Sequence, residues 1–241
     1  MATARAFAKA GHAVAIGARR EERLRELAPE LEALGAPFVF ARSLDVTDRK
    51  GIEFYRDALV EAAGLPDTII NNAGLARGTE KIEDADGIAW REMVETNLFG
   101  SLWVTRAYLP AMLERGSGHV IFVGSVAGHH GYAGGSVYCA TKAGLLRICE
   151  SLRLETLGRG IRVTSVDPGA AETEFSIVRF SGDEERAKHV YDGYEPLHAD
   201  DVADCVLFAA TRPAHVNIDE IRVMATAQAD PWHLARATEG K

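Results

Sequence analysis

Apolar positions along the chain switch repeatedly between a helical spacing and short uninterrupted runs. Residues 3–11 read as the end of an amphipathic helix stopped by Gly11, and residues 12–18 as a buried strand. A charged helix is expected over residues 21–34, a strand over 37–41 and a helix over 49–63, for which Asp48 is placed as N-cap. Residues 67–71 predict a strand, 82–115 contain a long helix, 119–124 predict a strand and 137–157 a further helix. The final alternation is a strand at 160–166, a helix at 199–210 begun by Asp200 and Asp201, and a strand at 216–223. Residues 174–198 are polar and irregular, with Gly182 and Gly193 as hinge candidates, and residues 225–241 carry little pattern beyond Pro231-Trp232. Alternating strands and helices predict an α/β fold.

With 241 residues the chain fits one large domain spanning 1–241 with a proper core. Its hydrophobic share of 47% and charged share of 26% are those of an ordinary globular protein. A net charge of -8 argues against nucleic acid or an anionic membrane as the main partner. No apolar run reaches the ~18 residues of a membrane span, and no signal peptide is apparent. Cys139, Cys149 and Cys205 lack metal-ligand spacing, which points to a reducing cytoplasm and to no metal; Cys139 reads as a packing residue.

The chemistry concentrates between residues 125 and 142. Tyr138 and Lys142 stand four residues apart on one helix face, and Ser125 closes the preceding strand 13 residues before the tyrosine. A phenol has a pKa near ~10, so a tyrosine working at neutral pH needs roughly 3 units, or about 4 kcal/mol, of help from a neighbouring cation and a bound cofactor.

Ser125, Tyr138-x-x-x-Lys142, Asn71-Asn-Ala-Gly74 and Pro168-Gly169, in that spacing, resemble the short-chain dehydrogenase/reductase family over nearly the whole chain. The resemblance implies a Rossmann-like, doubly wound parallel sheet in a single domain. It implies Tyr138 as acid/base, Ser125 orienting the substrate oxygen, Lys142 lowering the tyrosine pKa, and Asn97 holding a water for the proton relay. Read locally, the alternatives are a satisfied core asparagine at Asn97 and an unremarkable strand exit at 71–74. Asp45 and Val46 are placed against an adenine, Asn72, Ala73 and Gly74 along a cofactor, and Pro168, Gly169 and Thr173 with Tyr138 and Lys142 near a nicotinamide. Arg19, with Arg20 second, would read the extra phosphate of NADP(H); the alternative is pairing with Glu21 and Glu22. A small-molecule carbonyl or alcohol is the implied partner, and helices over 86–114 and 136–158 the faces of a homodimer or homotetramer.

Where the family shows a first strand and a glycine-rich turn, this chain is already inside a helix. The implied sheet order would put the absent strand at the centre, between the strands at 12–18 and 67–71, stranding backbone groups worth about 1–3 kcal/mol each. Met1 is therefore expected to be an artificial start, about 15–25 residues inside a longer chain, the alternative being a truncated homologue with an assembly or sensing role.

Glu174 to Gly182, Tyr132 to Tyr138 and Ala214 to Asp219 are similar to the branch of NADP-dependent 3-hydroxy acid dehydrogenases acting on serine and allo-threonine. That likeness makes 174–198 a substrate lid, with Arg179 as first candidate and Arg77 as second for holding a carboxylate. The turn after Pro168 is one residue shorter than that branch's, and His129-His130 are expected to line the pocket.

Overall fold

The computed structural model describes residues 1–237. Its first half runs α1 (Ala2–Lys9), β1 (Val14–Ala18), α2 (Glu21–Ala33), β2 (Val39–Ser43), α3 (Arg49–Ala63) and β3 (Thr68–Asn71). α4 (Gly87–Val94) then continues through a π-helical turn at Glu95–Gly100 into α5 (Ser101–Arg115), followed by β4 (Gly118–Val123), α6 (Ser136–Glu155) and β5 (Ile161–Pro168). The remainder is β6 (Ala171–Glu172), α7 (Glu174–Arg179), α8 (Glu184–His189), β7 (Leu197–His198), α9 (Ala199–Ala210) and β8 (Glu220–Val223).

All these strands pair in parallel. β3-β4-β5-β8 form one sheet and β1-β2 another, and among the described residues no strand lies between β1 and β3. Among the described residues the sheet is interrupted between β1 and β3. β1 departs from the buried strand expected of it: Ala15, Gly17 and Ala18 are exposed, because its edge toward β3 has no neighbour.

Parallel strands need both faces covered, and side-chain alternation assigns the faces. On one face Val120, Phe122 and Val163 pack with Tyr55, Met112 and Leu145 from α3, α5 and α6. On the other, Ile121 and Val166 meet Val206 of α9 and Phe7 of α1. Phe7 also packs on the cluster of Ala8, Val14, Leu27 and Leu31, so helix α1 ties the two sheets together.

Two expectations are corrected in detail. The strand expected at 216–223 shortens to β8, because Asn217 accepts the Val163 N–H through its side chain (2.8 Å) and the Ile218 carbonyl accepts the Thr164 hydroxyl. The irregular stretch 174–198 contains two short helices, capped by Thr173 and by Asp183, whose carboxylate accepts the Arg186 N–H at 2.9 Å. Ser181 (φ 55°) and Gly182 (φ 98°) reverse the chain between them in the left-handed region. Asp48 caps α3 as expected, accepting the Lys50 N–H at 3.0 Å.

Arg162 of β5 donates to the carbonyls of Ala209, Ala210 and Arg212 (3.2, 2.9 and 3.2 Å), closing the C-terminal end of α9 where a cation is favoured. Replacing it by Met should cost about 2 kcal/mol or more, since the carbonyls lose their donor. Thermal unfolding should register this as a fall in Tm of roughly 4–8 °C.

Candidate active site

A cavity of about 1600 Å³ runs along the whole of β3 in the gap beside β1 and opens past the C-terminal ends of the strands. Ser125 reaches it because β4 ends at Gly124, after which a 3-10 turn is capped by the serine hydroxyl accepting the Ala127 N–H (3.1 Å). Tyr138 and Lys142 reach it from the first two turns of α6.

Lys142 is 5% exposed, and its ammonium donates to the Val123 carbonyl at 2.9 Å. Burial lowers its pKa to about 8, with the charge of Asp167 acting in the opposite sense. Its Nζ lies 5.9 Å from the centre of the Tyr138 ring. Burial pushes the Tyr138 pKa well up, against the Ser125 hydroxyl and the Arg179 guanidinium, which favour the phenolate. Desolvation is the largest influence on the phenol here.

Asn97 sits in the π-helical turn, fully buried behind the cavity. Its Oδ1 accepts the Leu75 N–H at 2.9 Å, and its Nδ2 donates to the Leu75 carbonyl (2.9 Å) and the Thr141 hydroxyl (3.0 Å). The side chain is thus a clamp on the 72–75 turn, as a satisfied core asparagine would be. Asn72, Ala73 and Gly74 line the cavity beside it, and a Cβ at Gly74 would come within 3.4 Å of Lys142 Nζ.

Arg19, Arg20, Asp45, Val46, Pro168, Gly169 and Thr173 line the same cavity. The Asp45 carboxylate is held by the Thr47 N–H and hydroxyl (2.9 and 2.7 Å). Neither arginine pairs with Glu21 or Glu22. Arg20 instead bonds Glu174, the first residue of α7, at 2.7 Å, and Arg23 bonds the same carboxylate. Arg23 was not singled out from sequence, although it lies one helical turn after Arg20.

The two substrate candidates separate. Arg77 spends its fork on Glu92 (2.8 and 2.7 Å) and its third nitrogen on the Val178 carbonyl (2.9 Å), so it fastens α7 and is corrected as a carboxylate holder. Arg179 commits only Nε, to the Gly78 carbonyl at 3.2 Å, and its guanidinium carbon stands 5.4 and 6.0 Å from the Tyr132 and Tyr138 rings. His129 and His130 do not line the cavity as expected. His129 turns to Asp167 (3.0 Å) and His130 packs edge-on against Trp232.

Gln228 was missed. It is the one polar side chain buried in the tail, with Oε1 accepting the Ala170 N–H at 2.8 Å and thereby fixing the Pro168-Gly169 turn. A lone glutamine inside Ala225-Thr-Ala-Gln-Ala229 was the available signal.

Residues 1–183 match the family described as short chain dehydrogenase. The chain belongs to this family. It is therefore an oxidoreductase, as the resemblance implied. The chain is 44% identical to sulfoacetaldehyde reductase 2 of Chromohalobacter salexigens, over 95% of this chain and 90% of that one. It is 42% identical to the NADP-dependent 3-hydroxy acid dehydrogenase of Schizosaccharomyces pombe, over 92% and 85%. A solved closed form of serine dehydrogenase complexed with NADP+ superposes with a TM-score of 0.92 at 39% identity, covering 98% of this chain and 94% of that one. No helix of the described residues is long and apolar enough to cross a membrane.

Replacing Asn97 by Leu, of similar volume, should leave the Leu75 N–H and carbonyl unpartnered at about 1–3 kcal/mol each. Chemical denaturation should show a lower midpoint with an unchanged slope.

Proposed function

We propose that this protein is an NADP(H)-dependent oxidoreductase that moves hydride between the cofactor and a small carbonyl compound carrying an acidic group, or the matching secondary alcohol, such as a 3-hydroxy acid. The observation that carries this is one cavity lined by Ser125, Tyr138, Lys142 and Arg179 together with the basic cluster Arg19, Arg20 and Arg23.

The residues present fit the cofactor. The three arginines would hold its 2'-phosphate, Asp45 and Val46 its adenine, and Lys142, Pro168, Gly169 and Thr173 its nicotinamide riboside. Met1, Ala2, Thr3 and Arg5 border the cavity as well, with the Arg5 fork paired to Glu30. The nicotinamide supplies or accepts the hydride. Tyr138 gives a proton to the substrate oxygen in reduction and takes it in oxidation, and Ser125 orients that oxygen. A buried, protonated phenol suits the acid role at neutral pH. The acidic group of the substrate goes to Arg179, beside the Tyr138 ring. A sulfonated aldehyde and 3-hydroxy acids, named for the relatives, both meet this demand. Segment 174–198 serves as the substrate lid within a single domain.

Exposed apolar residues Phe99 and Leu102 near the start of α5 and Leu154 on α6 serve as faces joining copies into a dimer or tetramer. Three free cysteines suit the cytoplasm.

The unpaired edges of β1 and β3 favour a second reading, in which the fold persists for assembly or sensing with catalysis impaired. A fluorescence titration of the 241-residue chain with NADPH, then NADH, separates the two. Micromolar binding with at least tenfold preference for NADPH, lost in Arg19→Glu, supports the enzyme; a folded chain that binds neither supports the second reading.

Tyr138→Phe should abolish turnover and leave NADPH affinity within about threefold, and residual turnover above one-tenth would remove Tyr138 from the acid role. Arg179→Met should raise KM about 10- to 100-fold, equivalent to the ~1.5–3 kcal/mol of a charged hydrogen bond. Because the Lys142 pKa is lowered, its ammonium is present below about pH 8, so turnover should fall as pH rises through that value in a stopped-flow pH series.

A further inference from the structure

Asp167 is the one fully buried carboxylate among the described residues, and it stands immediately before Pro168-Gly169 at the end of β5. Its Oδ1 accepts the Ser165 hydroxyl at 2.7 Å, and its Oδ2 faces His129 Nε2 at 3.0 Å. A charge so placed needs a reason, because burying a carboxylate costs more than its hydrogen bonds return unless a cation lies near. His129 is one such cation when protonated, and two features place Lys142 nearby as a second. The carboxylate lies against the Cα of Gly124, where a Cβ would overlap Oδ1 and come 3.1 Å from the Ser165 hydroxyl. The residue before Gly124 is Val123, whose carbonyl receives the Lys142 ammonium. Gly124 itself is fixed by donating to the Val166 carbonyl at 2.8 Å. The ammonium and the carboxylate thus touch adjacent residues of β4's exit, Val123 and Gly124.

We propose that Asp167, held by Ser165 and His129, is a positioning residue that keeps Lys142 protonated. The inference rests on the reading of Lys142 as part of the catalytic set. The other charged and titratable groups around this pair are few. From β8, Glu220 Oε1 lies 3.7 Å from His129 Nε2 and is paired with Arg222 at 2.8 Å. From α6 come Lys142 itself, the Tyr138 phenol, whose ring centre lies 5.9 Å from Nζ and whose pKa burial raises, and the Cys149 thiol, which is pushed up to about 12 by burial and stays neutral. Asp167 supplies the negative charge that offsets the desolvation of Lys142. Burial raises the pKa of Asp167, while Ser165 and His129 favour its ionised form. His129, standing between Asp167 and Glu220, thus acts on Lys142 through the carboxylate. Its substitution should weaken that effect without removing it.

The test reads Lys142 directly. The chain has only six lysines, so the Cε signal of Lys142 in protein labelled with carbon-13 lysine is assigned by its loss in Lys142→Met. The wild-type signal should titrate near pH 8. Asp167→Asn should lower that midpoint by about one unit or more, and His129→Asn by less. The alkaline limb of kcat should move by the same amount, while KM for the cofactor stays within about threefold. A purely structural role would lower Tm and leave the midpoint in place. If Asp167→Asn does not fold, His129→Asn carries the same reading. An unchanged Lys142 midpoint in whichever of these variants folds overturns the proposal. Should the midpoint move while Tyr138→Phe still turns over, the coupling stands and the assigned chemistry fails.

Discussion

Burying the ammonium of Lys142 is the constraint from which the rest of the site follows. An ammonium taken out of water needs an acceptor at hydrogen-bond distance and a compensating charge. β4 supplies the acceptor by ending at Val123, whose carbonyl points at Nζ. Close approach of α6 is permitted by Gly128, where a Cβ would come 2.8 Å from the Lys142 carbonyl, while a Cβ at Gly74 would only touch Nζ, at 3.4 Å. The 72–75 turn holds its close approach because Asn97 takes both polar groups of Leu75, and Asn97 is placed by the π-helical turn joining α4 to α5. A residue of locally poor helix propensity is kept there because a buried turn would otherwise be unpaired. Strand end, glycines, asparagine and tyrosine are one device built around a charge in a low-dielectric place.

Much of this was legible in the sequence because the elements that carry it are long and regular. α3 and α9 begin and end at the residues their apolar spacing and caps indicate, and the Tyr138–Lys142 spacing needs only a helix to bring both to one face. What stayed hidden depends on pairing across distance. Nothing local to Arg77 reveals Glu92 in the next helix, and nothing local to Glu174 reveals that its carboxylate meets Arg20 and Arg23 from another layer. The histidines misled for the same reason. Adjacent residues after a strand looked like a pocket wall, yet a bend at 129–130 sends one to a buried carboxylate and the other to a tail tryptophan. The tail's part could not be read from pattern, since Gln228 acts through a side chain and its bridge to Leu234 is a single pair.

The balance of pKa values around Lys142 likewise escapes sequence reasoning. A four-residue spacing suggests that the lysine charge reaches the phenol, but it does not say how dry the site is. Here desolvation raises the tyrosine and lowers the lysine together, so both neutral forms are favoured until opposite charge is added from elsewhere. Within the chain that charge comes from Asp167 on one side and Arg179 on the other. The first arrives through the strand that precedes Pro168-Gly169, the second through a short helix that Arg77 and Gly78 hold in place. Electrostatic control is thus distributed over segments that meet only in the folded chain.

The split between β1 and β3 gives the cavity a mechanical meaning. Ladder hydrogen bonds do not join the two sheets, so α1 through Phe7, and α3 with Phe40 and Leu44 packed toward the central core, carry that load with apolar contacts. Such contacts are non-directional and tolerate small displacement better than a ladder does. Arg19 and Arg20 follow the β1 sheet, whereas Lys142 and Tyr138 belong to the layer over β4. A ligand long enough to touch both ends is bound across that junction and stabilises the assembled form by mass action, whereas a small anion at Arg179 touches one half only. Whether a bound molecule touches one half or both is therefore a matter of its reach across that junction.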